Sequence, residues 1–313
     1  MADVNLGQLA ATTIENYHDT MVDNIFKQHV LLDHLKSNGG IKKYDGGKSV
    51  RVPLMYGTNS TVKTFSGTDT LDLTYQEGMD AAAYDWAFYN GSIVFTLTDS
   101  LQNKGKEQII DLLEGKIKQC ELSLAERINT DLYSGSTTGG IIGMDTAIAA
   151  SGTYGSINGT TYTWWRSYVE STSEALSFSK MRTAKNTANN GNGGSKVSLI
   201  VTTQTLFEKM HSLLTASYQM NPTKEGKRLG DAGFTSLEFE GVPVTYDEAA
   251  TSGVVYFINK DNMKLGVMRG ADFQPIKKAE PADQHISVQH IVFGGQLIVD
   301  RRASLAKLTA KTG

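Results

Sequence analysis

Apolar positions recur at helical spacing near the start of the chain. Over residues 12–36, Ile14, Tyr17, Met21, Ile25, Leu32 and Leu35 form one stripe. Thr12 with Glu15 makes a capping box and Asn38-Gly39 an end signal, which predicts one helix or two short ones. A second stripe, Val22, Phe26, Val30 and Leu31, leaves two apolar sides to be covered. The period then changes. Residues 48–56 alternate around Val50, Val52 and Leu54, and residues 84–97 alternate through Tyr84, Trp86, Phe88, Ile93, Phe95 and Leu97, so both read as strands. Between them, residues 57–78 are rich in Thr, Ser, Asp and Gly, and two strands joined by so long a polar loop predict a protruding arm. Within the second strand Asn90-Gly91 is a two-residue hairpin signal that would pair Phe88 with Ile93.

Residues 105–133 carry the longest periodic pattern. Ile109, Ile110, Leu113, Ile117, Cys120, Leu124, Ile128 and Leu132 make one stripe on a helix roughly 43 Å long. The small-residue run 134–140 ends it. Beyond it the pattern predicts a helix at 173–188, a strand at 197–202, a helix at 204–214, and strands at 242–246 and 254–259, which suggest an α/β lobe. Residues 284–308 alternate again and read as long strands.

Composition narrows the class. With 313 residues the chain exceeds the ~250–300 at which one core stops growing, so two lobes or long excursions are expected. The net charge of -3 argues against a protein that mainly grips nucleic acid. No apolar run approaches the ~20 residues of a membrane helix, and the first 30 residues do not read as a signal peptide. A single cysteine, Cys120, forms no internal disulfide, which fits a cytosolic folding compartment.

Candidate chemistry is sparse. Gly47-Lys48-Ser49 ends like a phosphate-binding loop, but Lys42 stands where that loop needs glycine and a strand follows instead of a helix. His18, His29, His34, His211, His285 and His290 are not spaced as a zinc site, and no cofactor is called for. Acidic pairs such as Glu238 with Glu240 read as solvated faces, and Trp164-Trp165 as loop packing. The stretch from Lys264 onward carries a local +4, so the tail could face an anion.

Several separated segments occur in a familiar order. They are Tyr84-Asp85-Trp86 leading to Thr98-Asp99-Ser100, the helix end Glu126-Arg127-Ile128-Asn129-Thr130-Asp131-Leu132-Tyr133 with its Ser134-Gly135 loop running to Gly143-Met144, then Ser198-Leu199-Ile200-Val201-Thr202, Glu240-Gly241-Val242-Pro243-Val244, and residues 289–308 with Asp300-Arg301-Arg302. Together they resemble the major capsid proteins of tailed bacteriophages, whose fold is named after the Hong Kong 97 phage. Ile14-Glu15-Asn16-Tyr17, Asp23-Asn24-Ile25-Phe26 and Trp164-Trp165 resemble one branch of that family.

The resemblance implies an α+β Hong Kong 97-like fold with an N-terminal arm (1–43), an extended β-hairpin loop (44–88), a peripheral domain on the long spine helix (89–150 and 267–301) and an axial α/β domain (151–266 and 302–313). It implies that Asn90-Gly91 is a bulge in a continuing strand, not a hairpin tip. It also implies a non-enzymatic shell subunit that forms pentamers and hexamers around double-stranded DNA in the virion, assembled in the host bacterial cytoplasm. Partners would be other copies, a portal, a separate scaffolding protein, a decoration or cement protein and weakly held DNA, with no membrane. The expected inter-subunit contacts are Ile14, Tyr17, Met21, Ile25, Phe26, Leu32, Leu35 and Phe65, the expected spine-helix hinge is Gly115, and the expected lumen-facing cations are Arg301, Arg302, Lys307 and Lys311. Lys48, Lys63 and Lys104 are expected to carry no cross-link, and with Met1 so near the arm no self-scaffolding extension is expected. An encapsulin-like nanocompartment shell and an α/β enzyme with a site in 151–266 are the alternatives.

Overall fold

The computed structural model describes residues 29–96, 112–135, 139–190, 196–219, 237–279 and 286–312. Residues 12–28 of the helical stretch expected over 12–36, Thr98-Asp99-Ser100, Lys104, the stretch 105–111, His18 and His285 lie outside the described residues, as do Ile14, Tyr17, Met21, Ile25 and Phe26. The chain forms two compact units. One comprises Lys27–Tyr89, Ala125–Gln274 and Val292–Gly313, and the other Met1–Phe26, Asn90–Leu124 and Pro275–Ile291.

The larger unit is built on a six-stranded mixed sheet in the order Leu237–Phe239, Val242–Tyr246, Leu199–Thr202, Val255–Ile258, Ala306–Leu308, Tyr168–Glu170. Its central strands are buried at every position and almost wholly apolar, Thr202 being the exception that ends one of them, because both faces are covered. Alternation divides them. Ile200, Val255 and Phe257 pack with Met181, Ala184, Leu206 and Met210 of the helices Phe178–Asn189 and Gln204–Gln219. Leu199, Val201, Tyr256 and Ile258 face the other way, into a second core with Ile128, Leu132 and Tyr133 from the end of the helix Leu112–Ser134. That core also holds Met263, Leu265 and Val267 of Met263–Met268, which pairs parallel with Ile41–Tyr44 and antiparallel with Ile286–Val299.

The helix Val30–Ser37 belongs to the same core. Leu31 and Leu35 are fully buried and Leu32 packs against the cluster. Gly39 at φ +68° ends the helix, and the amides of Asn38, Gly39 and Gly40 bond back to His34, Lys36 and Leu35 carbonyls. Leu35, expected at a subunit contact, is therefore core in its own subunit, and Leu32 is mostly committed there.

The smaller unit contains the first part of the helix Leu112–Ser134, much of the strand Ala87–Thr96 and the first residues of Ile286–Val299. The hairpin signal at Asn90-Gly91 is overridden. Ala87–Thr96 is one continuous strand, and neither residue has the positive φ that a two-residue turn requires. Gly91 serves packing instead: a Cβ there would lie 3.0 Å from Leu124 Cδ1 and closer still to Cys120 Sγ. Only glycine lets the strand lie this near the helix.

The alternating stretch 284–308 is divided between two strands. Ile286–Val299 and Ala306–Leu308 belong to different sheets, separated by a single 3-10 turn at Arg302–Ser304. Lys311–Thr312 then pairs with Glu174–Ala175, so the helix expected from 173 begins at Phe178.

Candidate assembly interface

The strands Ser49–Met55 and Met79–Asp85 pair antiparallel in register from Ser49↔Asp85 to Met55↔Met79, and the chain between them returns through residues 56–78 with no ladder. At the root, alternation buries Val50, Leu54, Ala82 and Tyr84. The Tyr84 hydroxyl donates to the Val299 carbonyl at 2.7 Å, Ala83 N–H to Gly155 O at 2.9 Å and Trp86 Nε1–H to Gly47 O at 3.0 Å. Burial pushes the Tyr84 phenol well above its ordinary range, so it stays a donor. Tyr56 stacks on Trp164 with ring centroids 4.8 Å apart and planes 6° from parallel. Trp165 beside it is buried, with Nε1–H on Tyr154 O, as loop packing predicts.

Beyond the root, side chains replace the ladder. Asn59 Oδ1 accepts from Thr61 N–H, Asp69 Oδ2 from Ser66 N–H and Asp72 Oδ1 from Thr74 N–H, while Lys63 pairs with Asp72 at 2.9 Å. The Thr74 hydroxyl and then Lys63 hold the Asp72 carboxyl below its usual range. Polar groups thus stabilise the loop locally while its apolar side chains point outward. Phe65 is 72% exposed, Leu73 91% and Tyr75 85%, with Val62, Leu71, Met55 and Met79 also exposed. An open cleft of about 580 Å³ lies between Met55, Asn59, Tyr75 and Met79. So many exposed large apolar side chains on one arm make it a candidate interaction surface.

The basic tail reads differently in three dimensions. Arg302 is fully buried and donates to the carbonyls of Thr146, Ala147, Ala149 and Trp165 at 2.7–3.1 Å, with Tyr154 and Trp165 rings at 5.6 and 6.0 Å. Lys307 reaches Asp145 O at 2.8 Å, and Lys311 reaches Thr172 O at 2.7 Å and Glu174 at 3.0 Å. These three cations, expected at an open face, are buried on the fold's own carbonyls and carboxylates, whereas Arg301 is exposed. Gly115 is half-buried in the first described turn of Leu112–Ser134.

One polar junction escaped sequence reasoning. Buried Asp247 accepts from Val30 N–H at 3.2 Å, the Tyr133 hydroxyl at 3.1 Å, Asn129 Nδ2 at 3.3 Å and its neighbour Ala249 N–H at 2.9 Å. It ties the start of Val30–Ser37 and the end of the long helix to the six-stranded sheet. Nothing local around Asp247 in the sequence signals those distant donors. Among the described residues no group of His, Cys, Asp and Glu could hold a metal ion, and no helix is long and apolar enough to cross a membrane.

No family model and no curated protein matches the sequence. Solved structures do. The capsid asymmetric unit of cyanophage A-1(L) aligns over 97% of this chain and 98% of its own, with a TM-score of 0.74 at 17% identity. The chain has the Hong Kong 97-like fold. The capsid of an empty GTA particle covers 99% of this chain and 98% of its own at a TM-score of 0.64 and 12% identity. The holo-SrpI encapsulin from Synechococcus elongatus PCC 7942 covers 100% and 96% at 0.60 and 10%.

Proposed function

We propose that the protein is the major capsid protein of a tailed phage, one of many copies forming pentamers and hexamers in an icosahedral shell around double-stranded DNA. The observation that carries this reading is the alignment with a phage capsid subunit over 97% of this chain and 98% of the other. The protein's work is then its interfaces, and it performs no reaction. Its partners are other copies of itself, a portal, a scaffolding protein and a decoration protein, with DNA held weakly by a near-neutral subunit. Shells assemble in the host cytoplasm and reside in the virion.

In this reading residues 1–28 and the 56–78 arm reach neighbouring subunits, Phe65 is one of the contacts, and the peripheral and axial domains keep the boundaries implied by the resemblance. Gly115 acts as the spine-helix hinge, because glycine is the easiest residue at which to bend a helix. The SrpI likeness favours one alternative, a nanocompartment that encloses protein. Electron microscopy of particles purified from an infected or lysogenic host separates the two. Shells with DNA and one portal vertex are expected; shells filled with protein and lacking a portal would overturn the capsid reading. Gly115→Ala in the same micrographs should change particle yield or diameter, and unaltered particles would remove the hinge.

A further inference from the structure

Besides the burial of Leu35, a histidine hydrogen-bonds the end of Val30–Ser37 to the residue preceding a strand of the six-stranded sheet. His34 Nε2 lies 3.3 Å from Ser198 Oγ, and His34 Nδ1 lies 3.3 Å from Asn38 Nδ2. The directions of these bonds are determined by their surroundings. The Ser198 hydroxyl donates its one proton to Ile258 O at 3.2 Å and accepts from Lys260 N–H at 3.1 Å, so from His34 it can only accept. His34 is therefore neutral with its proton on Nε2, and bare Nδ1 accepts from the Asn38 amide. That amide is itself oriented: Nδ2 also donates to His34 O at 2.9 Å, while Oδ1 faces Lys260 Nζ at 3.5 Å.

A second proton on His34 finds no acceptor among these partners and can be met only by solvent, with the exposed Asn38 side chain displaced. On Nδ1 it would point at the Asn38 amide N–H, donor against donor. Rotating Asn38 would relieve that clash but would turn its N–H groups toward the Lys260 ammonium and give up the bond to His34 O. Each arrangement leaves one pair of donors facing each other. Lys260, on the turn after Val255–Ile258, is the cation whose field reaches the ring, while Ser198 and Asn38 are neutral and Asp33 and Lys36 sit on the helix itself. We propose that His34 is a pH-sensitive latch that holds the C-terminal end of Val30–Ser37 and the following turn on the sheet while neutral and releases them when protonated.

Burial and then Lys260 lower the pKa of His34 from its ordinary 6.5. A histidine whose folded-state pKa is depressed contributes stability that is complete above the unfolded value and is lost as pH falls through the folded one. The helix start is held separately, by Asp247 on Val30 N–H, so release is confined to the far end and the turn that leads into Ile41–Tyr44. The device belongs to the single subunit and stands whether or not that subunit builds a shell.

Hydrogen–deuterium exchange of the full chain between about pH 8 and about pH 5, corrected for intrinsic exchange, tests it. Protection of the Asn38, Gly39 and Gly40 amides should fall measurably on the acid side. The strands Leu199–Thr202 and Val255–Ile258 should stay protected. In His34→Gln, which can still donate to Ser198 but cannot titrate, the dependence should vanish. Lys260→Gln, which leaves the histidine in place, should move the midpoint to higher pH. Equal acid loss in His34→Gln, no loss in the natural protein, or an unmoved midpoint in Lys260→Gln would each overturn the latch.

Discussion

Arg302 shows what a single residue can do in this fold. A buried guanidinium with no carboxylate among its partners is stable here because four backbone carbonyls and two aromatic rings surround it, three of those carbonyls belonging to the short helix Met144–Ala147 and the residues just after it. Lysine presents a point charge that cannot reach the same set of acceptors. Arg302→Lys should therefore cost about 3 kcal/mol or more, read as a lower urea midpoint at unchanged slope. Glu170 makes a contrasting case at the surface. The Thr172 hydroxyl and then Lys180 hold its carboxyl down to about 2, so its contribution is present above the ordinary 4.5 and disappears as pH falls toward 2. Thermal scans of Glu170→Gln and the natural protein should differ at neutral pH, converge near the acid end, and differ less in high salt because the group is exposed.

Among the elements, Val30–Ser37 changes the picture most. A two-sided apolar pattern over 12–36 is compatible with an arm that lies entirely on a neighbour, yet its last two turns are core, with Leu31 and Leu35 fully buried and Val30 N–H on Asp247. Burying a leucine contributes about 1.5–3 kcal/mol, and two are removed together if the truncation goes too far. Deleting residues 1–36 should unfold the subunit or lower its melting temperature strongly, and by clearly more than deleting 1–28 does, because only the longer deletion removes Leu31 and Leu35. Circular dichroism on both truncations checks this, and a stable 1–36 deletion would contradict the packing described. The extended hairpin behaves in the opposite way. Its root is fixed by Tyr84, Ala83, Trp86 and the Tyr56–Trp164 stack, while its far part is held only by its own turns, so a change out there has no effect on the core.

For the whole molecule, the distribution of apolar surface matters more than its amount. Phe65 and Leu73 are exposed on an arm that buries none of its distal apolar side chains in its own subunit, so Phe65→Ser with Leu73→Ser should leave the melting temperature of the isolated subunit unchanged. Assembly should fail or yield irregular particles, scored by sedimentation and electron microscopy. Normal particles from the double variant would show that this surface is not a contact. The near-neutral net charge fits the same picture, since buried Arg302, Lys307 and Lys311 remove from any surface three of the four cations that the tail seemed to offer.

The sequence by itself determined the elements whose signal is local: the long helix from its stripe, the polar arm between two alternating strands, the apolar run 254–258, and the glycine that ends Val30–Ser37. The order of quoted segments also carried the fold, because order survives where identity has fallen to 17%. What only the tertiary structure decided were matters of which distant group stands opposite. Alternation around Asn90-Gly91 permits either a turn or a continuing strand, and the closeness of Leu124 and Cys120 selects the strand. Charge counting cannot distinguish a solvated arginine from one that closes a helix end, because the carbonyls that bind Arg302 come from residues 146–165, far away in the chain. The same holds for Asp247 and His34. Their donors and acceptors come together only when the helix has docked on the sheet, so no pattern of neighbours along the sequence could have named them.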